Sequence, residues 1–411
     1  MKRIYNSIDI GSDTIKIVVC ELYKNKLNLL AATTTKSNGI KKGLITDIEL
    51  ARRSVKKALT EIEDMLGITI TKVIANVPSY LSEFSMVNAT ILIDNEENVV
   101  SGNDVVKVIQ ETFKNYNDLS REMLTILPID FKVDNQMTND PKGFIGKELS
   151  TRGIMVTTPK KNIYSVVGLL ESLGLEVVDV SLDSIGDLNT FKTKEMEKQA
   201  GVIVNIGSET TTISLFNKGI IVKNTIIQLG GKNIDNDIAY IYKIEIDMAK
   251  RLKEKIALAH KNYANNSEIV EITNKYNENV RISQSELSEI VYSRIEEILN
   301  LVKKEINGLA NRSIDYIIVT GGTSNIPYFN NIAEQILGKN TIVGQIKLIG
   351  IRNNKYSACL GNIIYFIQKL RIKGNNYTMI TKENVEILSS TRKNNMNETN
   401  IWKALIGFFD E

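Results

Sequence analysis

Two short segments carry residue types suited to holding phosphate. In the first, Asp9 and Lys16 flank a tight turn of small residues, Gly11, Ser12, Asp13 and Thr14. Such a turn points several backbone N–H groups at one spot and keeps side-chain bulk away, as an anionic phosphate requires. The Lys16 ammonium can meet phosphate charge, and the Asp9 carboxylate can hold a hydrated Mg²⁺ through water. In the second, Ile206-Gly207-Ser208-Glu209-Thr210 repeats Ile10-Gly11-Ser12-Asp13-Thr14 with one acid exchanged for another, and Thr211 follows. Asn205 opens this copy where Asp9 opens the first. A third glycine turn, Gly321-Gly322-Thr323, lets backbone approach a flat ring closely, and Gly231 lies in a Gly-Gly pair after a strand. One D-x-G turn is a common feature. Three strand-terminal glycine turns, two of them duplicates nearly half the chain apart, point to a triphosphate clamped between two related domains.

The elements that position these turns follow from periodicity. Strands are expected over 4–10, 15–22 and 27–33, short spacings that make antiparallel hairpins. A helix over 49–66 places Leu50, Leu59, Ile62 and Leu66 on or near one face, with Asp47 as N-cap and Gly67 just past its end. A strand over 73–77 ends at Pro78. The pattern then changes: a strand over 87–93, a helix near 104–114 and a strand pair around 124–133 read as a small α+β insertion. A helix over 162–173 and a strand over 177–181 return to the first pattern. The second half offers strands flanking the repeated turn, a strand over 220–227, a charged helical region over 234–264, and a polar stretch over 265–279 with short strand signals. The helix over 286–309 has Leu287, Ile290, Val291, Ile298, Leu301, Val302 and Ile306 in one stripe, which reads as core. A buried strand over 314–319 runs into the third glycine turn.

With these motifs in this order, the chain resembles the actin, heat-shock chaperone and sugar-kinase ATPase superfamily, and within it the FtsA family of bacterial actin-like cell-division proteins. The resemblance runs through Ile8–Val19, Gly39–Asp47, Leu127–Ile129, Pro141–Gly146, Val202–Phe216, Gly230–Tyr240, Ile317–Ile326 and Tyr356–Gly361. It implies an α/β fold: duplicated actin-like (ribonuclease H-like) domains flanking a nucleotide cleft, with a small inserted α+β subdomain. The implied division is a first subdomain over 1–83, the insertion over 84–157, and the first subdomain again over 158–190. A second main subdomain covers 191–229 and 300–345, interrupted by a smaller one over 230–299. Residues 346–372 return to the first, 373–399 form a polar linker and 400–411 a terminal helix. It also implies ATP and Mg²⁺ as ligands, with Lys253 and Glu254 on a helix edging the ribose and purine. The family usually has Asp at the position of Asn205 and glycines near Ser208 and Glu209. Asn205 cannot orient an attacking water by charge, and Glu209 repels a γ-phosphate if it points inward. Retained but weakened nucleotide binding is expected, with slow or absent hydrolysis.

At about 100° per residue, Ile401, Trp402, Leu405, Ile406, Phe408 and Phe409 fall within roughly 160° of one helix face, opposite Lys403, Asp410 and Glu411. Such a helix lies in a bilayer interface with Trp at headgroup level. One tail binds weakly, and self-association into filaments would multiply it. Lys382, Arg392 and Lys393 can add attraction to anionic lipid. The family resemblance implies recruitment of the tubulin-like protein FtsZ, whose C-terminal peptide binds the 231–299 subdomain, with Arg294 matched to the peptide-binding basic residue.

Composition narrows the alternatives. Lys and Arg total 51 against 48 Asp and Glu, a net charge of +3, which gives no electrostatic case for nucleic acid. One histidine leaves little for a His-based metal site or triad, and Cys20 and Cys359 fit no redox spacing and read as reduced thiols of a cytoplasmic protein. No apolar signal core opens the chain and no run reaches about 18 apolar residues, so attachment to the inner membrane face rather than insertion is expected. A pilus-assembly adaptor of the PilM type shares the inserted domain. A sugar-type kinase would need a catalytic carboxylate beside a sugar pocket, and no segment offers one.

Overall fold

Each half of the chain begins with a three-stranded antiparallel meander. In the computed structural model, which describes residues 2–309, 313–381, 383–385 and 387–388, these are Arg3–Ile10, Thr14–Tyr23 and Lys26–Lys36, then Ala200–Ile206, Thr211–Asn217 and Ile220–Ile227. Two parallel strands extend each meander beside its first strand: Lys72–Val77 and Glu176–Leu182 in one half, Tyr316–Thr320 and Thr341–Val343 in the other. Both sheets therefore share the strand order 3-2-1-4-5, and helical crossovers link the parallel strands. Register repeats as well. Asp9 faces Lys16 and Ile10 faces Ile15, as Asn205 faces Thr212 and Ile206 faces Thr211. The duplication read from two short motifs is a duplication of whole domains.

The Ile48–Leu66 helix covers the first sheet because Ala51, Val55, Ala58, Leu59, Ile62 and Leu66 recur at helical spacing and are buried. Asp47 caps it, accepting the Leu50 N–H at 3.0 Å, and Gly67 ends it at φ +67°. Leu50, expected on the apolar face, is exposed, because two alanines rather than Leu50 carry the stripe. The insertion is a four-stranded antiparallel sheet in the order Glu83–Leu92, Glu148–Pro159, Arg121–Val133, Gln136–Thr138, with the Gly102–Glu111 helix packed against it. The strand pair expected around 124–133 is one long strand. Its neighbour Glu148–Pro159 escaped notice because Thr151, Arg152 and Gly153 interrupt its apolar run. In the second half, the helical region over 234–264 is two helices, Gly231–Tyr242 and Ile246–Ile256, broken where Lys243 turns left-handed at φ +55°. A hairpin, Ile269–Thr273 with Asn279–Ser283, precedes the long helix Gln284–Leu309, which buries Leu287, Val291, Ile298, Val302 and Ile306.

Among the described residues, two helices join the halves. Asp183–Phe191 leads from the first sheet to the second, and Ser357–Lys373 leads back. They cross backbone to backbone: a Cβ on Gly361 would lie 1.6 Å from the Gly186 carbonyl oxygen, and one on Gly186 would lie 2.2 Å from that of Ala358. The shorter helix is absent from the sequence reading, since its nine residues are rich in Asp, Ser, Asn and Thr. After Lys373 the chain turns back. The Met379 N–H donates to the Ile4 carbonyl at 3.0 Å, the Ile4 N–H donates to Thr378 Oγ1 at 3.0 Å, and Met379 and Ile380 are buried. Residues 377–380, assigned to a linker for their polar neighbours, thus pack on the first sheet. The remainder of that linker beyond 388 and the helix expected over 400–411 lie outside the described residues.

The crossing yields a stability prediction. Gly361→Ala forces the two backbones apart and should destabilise the protein by about 3 kcal/mol or more. Gly168→Ala, in a helix with nothing within 4 Å of the new methyl, should be neutral or stabilising by roughly 0.5–1 kcal/mol. Denaturant midpoints of the two variants compare them directly.

Candidate functional site

The C-terminal ends of both first strands open on one cavity of about 590 Å³ between the halves. The first hairpin contributes Asp9, Gly11, Ser12, Asp13, Thr14 and Lys16, and the second Asn205, Gly207, Ser208 and Thr210. Gly231, Lys253 and Glu254 come from the next two helices, and Gly321, Gly322 and Thr323 from the third turn. Thr211 does not line the cavity. Strand alternation puts it in the place of Ile15, fully buried, with its hydroxyl donating to the Leu229 carbonyl at 2.8 Å, while Thr212 faces the cavity as Lys16 does.

Matching hydrogen bonds tighten the two turns: Gly11 N–H to Thr14 O at 3.2 Å, and Gly207 N–H to Thr210 O at 2.9 Å. Around the second, Gly231 N–H and Thr323 Oγ1 both donate to the Gly207 carbonyl, at 2.9 and 3.0 Å. Gly321 holds φ +93°, and a Cβ there would meet Asn205 Oδ1 at 2.4 Å, so glycine is required. At Gly322 an added Cβ would find only Lys355 Cβ, at 3.9 Å, so the backbone there is open to a ligand.

Charge concentrates in the cavity. Lys16 pairs with Asp9 at 2.9 Å, Lys250 with Asp13 at 2.6 Å, and Lys253 with Asp235 at 2.6 Å. Lys355 has no carboxylate within 4 Å among the described residues. Burial, then the nearby Lys16 and Lys250, hold its pKa below the ordinary lysine value. Glu209 lines the cavity and is fastened there, by the Lys42 N–H at 2.7 Å and the Lys232 ammonium at 2.6 Å. Burial opposes its ionisation, but these two donors prevail and its pKa is lowered.

Beneath the hairpins lie two acids that the sequence reading missed. Asp183 lines the cavity, accepts the Ser79 N–H at 3.2 Å, and is pushed by burial to a pKa of about 6. Asp187 is fully buried and accepts Ser357 Oγ at 2.5 Å and Asn205 Nδ2 at 2.6 Å; burial pushes it to about 7. The signal was available: two aspartates four apart, directly after an apolar strand, share one helix face. Lys250, one helical turn before Glu254, was legible in the same way, whereas Lys355 and Asn76, which donates to Asp9 at 3.0 Å, have no local signature.

Arg294 lies outside the cavity, on the long helix. Its guanidinium is held by Asp237 at 2.7 and 2.9 Å and also by Glu297, so it is an occupied rather than an open cation. The tail residues 401–409 fall outside the described residues.

The buried acid gives a pH prediction. The folded-state pKa of Asp187 lies above the ordinary carboxylate value, so its contribution is full at low pH and is lost as pH rises through about 7. Asp187→Asn removes the charge; its amide oxygen can accept from Asn205 Nδ2 while its NH2 donates to Ser357 Oγ, so that second bond reverses direction. The exchange should stabilise the protein by roughly 1–3 kcal/mol at pH 8 and flatten the fall in stability between pH 5 and 8. Melting curves across that range test it.

Comparison with known proteins places the fold and the sequence. The family model for cell division protein FtsA matches residues 202–361, and that for the SHS2 domain inserted in FtsA matches residues 82–157. Cell division protein FtsA of Bacillus subtilis is 28% identical over 376 residues, spanning 90% of this chain and 85% of the relative. That of Streptococcus pneumoniae is 26% identical, spanning 86% and 78%. Among solved structures, PilM in a type IV pilus biogenesis complex aligns with TM-score 0.59 at 12% identity, covering 90% of this chain and 98% of that one. MreB5 of Spiroplasma citri bound to ADP aligns with TM-score 0.56 at 15% identity, covering 91% and 99%. These structures share the actin-like architecture, duplicated α/β domains about a cleft, and at such identities they speak to fold alone. Family models over more than half of the chain, together with relatives along nearly all of it, decide the rest: the chain belongs to the FtsA family of actin-like cell-division proteins.

Proposed function

We propose that this protein binds an adenine nucleotide with Mg²⁺ between its halves and serves as a self-associating scaffold that ties FtsZ to the cytoplasmic face of the membrane. One observation carries the nucleotide reading: two duplicated turns, with matching internal hydrogen bonds, face a single cavity whose volume lies in the range of small-ligand sites. The residues fit such a ligand. The Gly322 backbone is open, Lys355 stands ready for phosphate charge, and Lys250 lines the cavity in its pair with Asp13. Asp9 would hold the hydrated metal, whose part is to screen phosphate charge. Lys16, now paired with Asp9, would turn to the phosphate and free the carboxylate. MreB5 of Spiroplasma citri, a structural neighbour, is described as bound to ADP.

Slow turnover follows from the protonation chemistry. The Asn205 amide donates to Asp187 and can accept no proton from water, and Asp187 itself is walled in. Asn205→Asp alone sets two carboxylates at hydrogen-bond distance in a buried site and should destabilise the protein at pH 8. The double exchange Asp187→Asn with Asn205→Asp moves the charge to the cavity wall and should raise phosphate release about tenfold or more. Brisk release by the unaltered protein would refute the slow-turnover reading.

No helix among the described residues is long and apolar enough to cross a membrane. Surface attachment is assigned to the amphipathic run Ile401, Trp402, Leu405, Ile406, Phe408 and Phe409. The full chain should sediment with anionic liposomes, more strongly with nucleotide if polymers form, and removal of residues 401–411 should abolish this. Sedimentation of the truncated chain would exclude the tail as anchor. The FtsZ C-terminal peptide is placed on the 230–299 region. Because Asp237 and Glu297 already hold Arg294, its replacement by Ala should weaken that peptide only a few-fold.

A further inference from the structure

The Glu209 carboxylate occupies an unusual place. Its Oε2 accepts the Lys42 N–H at 2.7 Å, from the turn between the short strands Ile40–Lys41 and Leu44–Ile45 of the first half. Its Oε1 meets the Lys232 ammonium at 2.6 Å, from the second half. The Lys42 turn is itself hung on the first hairpin, because the Gly43 N–H donates to Ser12 Oγ at 2.8 Å. An anionic group on the second hairpin is thus held by a backbone donor of the first half. Its side chain is only 14% exposed and lines the cavity. Asp13, at the equivalent position of the first hairpin, makes the reciprocal bond to Lys250 of the second half at 2.6 Å.

We propose that Glu209 occupies the terminal-phosphate end of the cavity, so that the ligand class it accepts is a nucleoside diphosphate rather than a triphosphate. A terminal phosphate between two such turns would draw N–H groups of both halves to one anion. Here a carboxylate of the protein already does so. The Lys42 N–H and the Lys232 ammonium are spent, and a third phosphate would bring its charge against an ionised carboxylate in a half-buried site. Lys16, Lys250, Lys355 and the Gly322 backbone also line the cavity and make none of the bonds to Glu209, so they remain to meet the α- and β-phosphates. The bonds of Glu209 and Asp13 also draw the halves together with no third phosphate present.

This inference rests on the cavity being a nucleotide site, and the experiment separates the two. Calorimetric titration of the full chain with ADP and with a non-hydrolysable ATP analogue, both with Mg²⁺, should show ADP binding about tenfold or more tighter. In Glu209→Gln and Glu209→Ser, checked by melting curves to be folded, the gap should close to within about threefold, through gain of triphosphate affinity. Equal or tighter triphosphate binding by the unaltered protein, or a preference unchanged in both variants, overturns the role of Glu209 and leaves the nucleotide site standing. Failure of both nucleotides to bind any of the three proteins removes the nucleotide site, and this inference with it.

Discussion

The contact of Gly186 with Gly361 sets the geometry of everything around the cleft. Side chains usually hold crossing helices 8–10 Å apart. Here two glycines and Ala358 remove that spacing, and the backbones of the only two helices joining the halves, among the described residues, come together. Asp187 follows Gly186 directly, and Ser357 begins the other helix, so the crossing delivers the carboxylate to its hydroxyl partner. Asn205, at the end of the central strand of the second sheet, reaches the same carboxylate from the other side. The mutual position of the two hairpins thus depends on how closely these helices approach.

The same axis carries the inserted domain. The Tyr365 hydroxyl meets Thr125 at 2.9 Å, and the Lys142 ammonium donates to the Arg371 carbonyl at 2.8 Å, near the end of the Ser357–Lys373 helix. A Cβ on Gly102 would lie 2.9 Å from the Lys373 carbonyl oxygen. The insertion is therefore seated on the far end of a helix whose near end touches the cleft. A rearrangement between the halves has a rigid element through which to reach it.

Within the duplicated frame the two hairpins have diverged in charge. The first keeps an acid–base pair, Asp9 with Lys16, where the second has a neutral pair, Asn205 with Thr212. The buried Asp187 accounts for the difference: an amide at 205 donates to it, whereas a second carboxylate would repel it in a poorly solvated place. Across the cleft mouth the links are unequal. Lys36 with Asp247 is largely exposed and contributes little, while Asp13 with Lys250 is partly buried and the Glu209 side chain is mostly covered.

Local chemistry was legible wherever it depends on neighbours along the chain. The glycine turns, the Asp47 cap, the long helical stripe ending at Ile306 and the domain duplication all follow from spacing, since backbone dihedrals and periodicity are short-range properties. Hidden residues were those whose role comes from contacts remote in sequence. Lys355 matters because the last crossing sets it over the cavity. Asp187 matters because burial raises its pKa, and Thr378 and Met379 look like linker until Ile4 is brought beside them. The direction of Glu209 was likewise undecidable, because its hydrogen-bond donors, Lys42 and Lys232, come from two different halves. Sequence alone determined which turns can cradle an anion; tertiary packing decided which of their charges are already satisfied, because desolvation and pairing depend on neighbours that only the folded chain assembles.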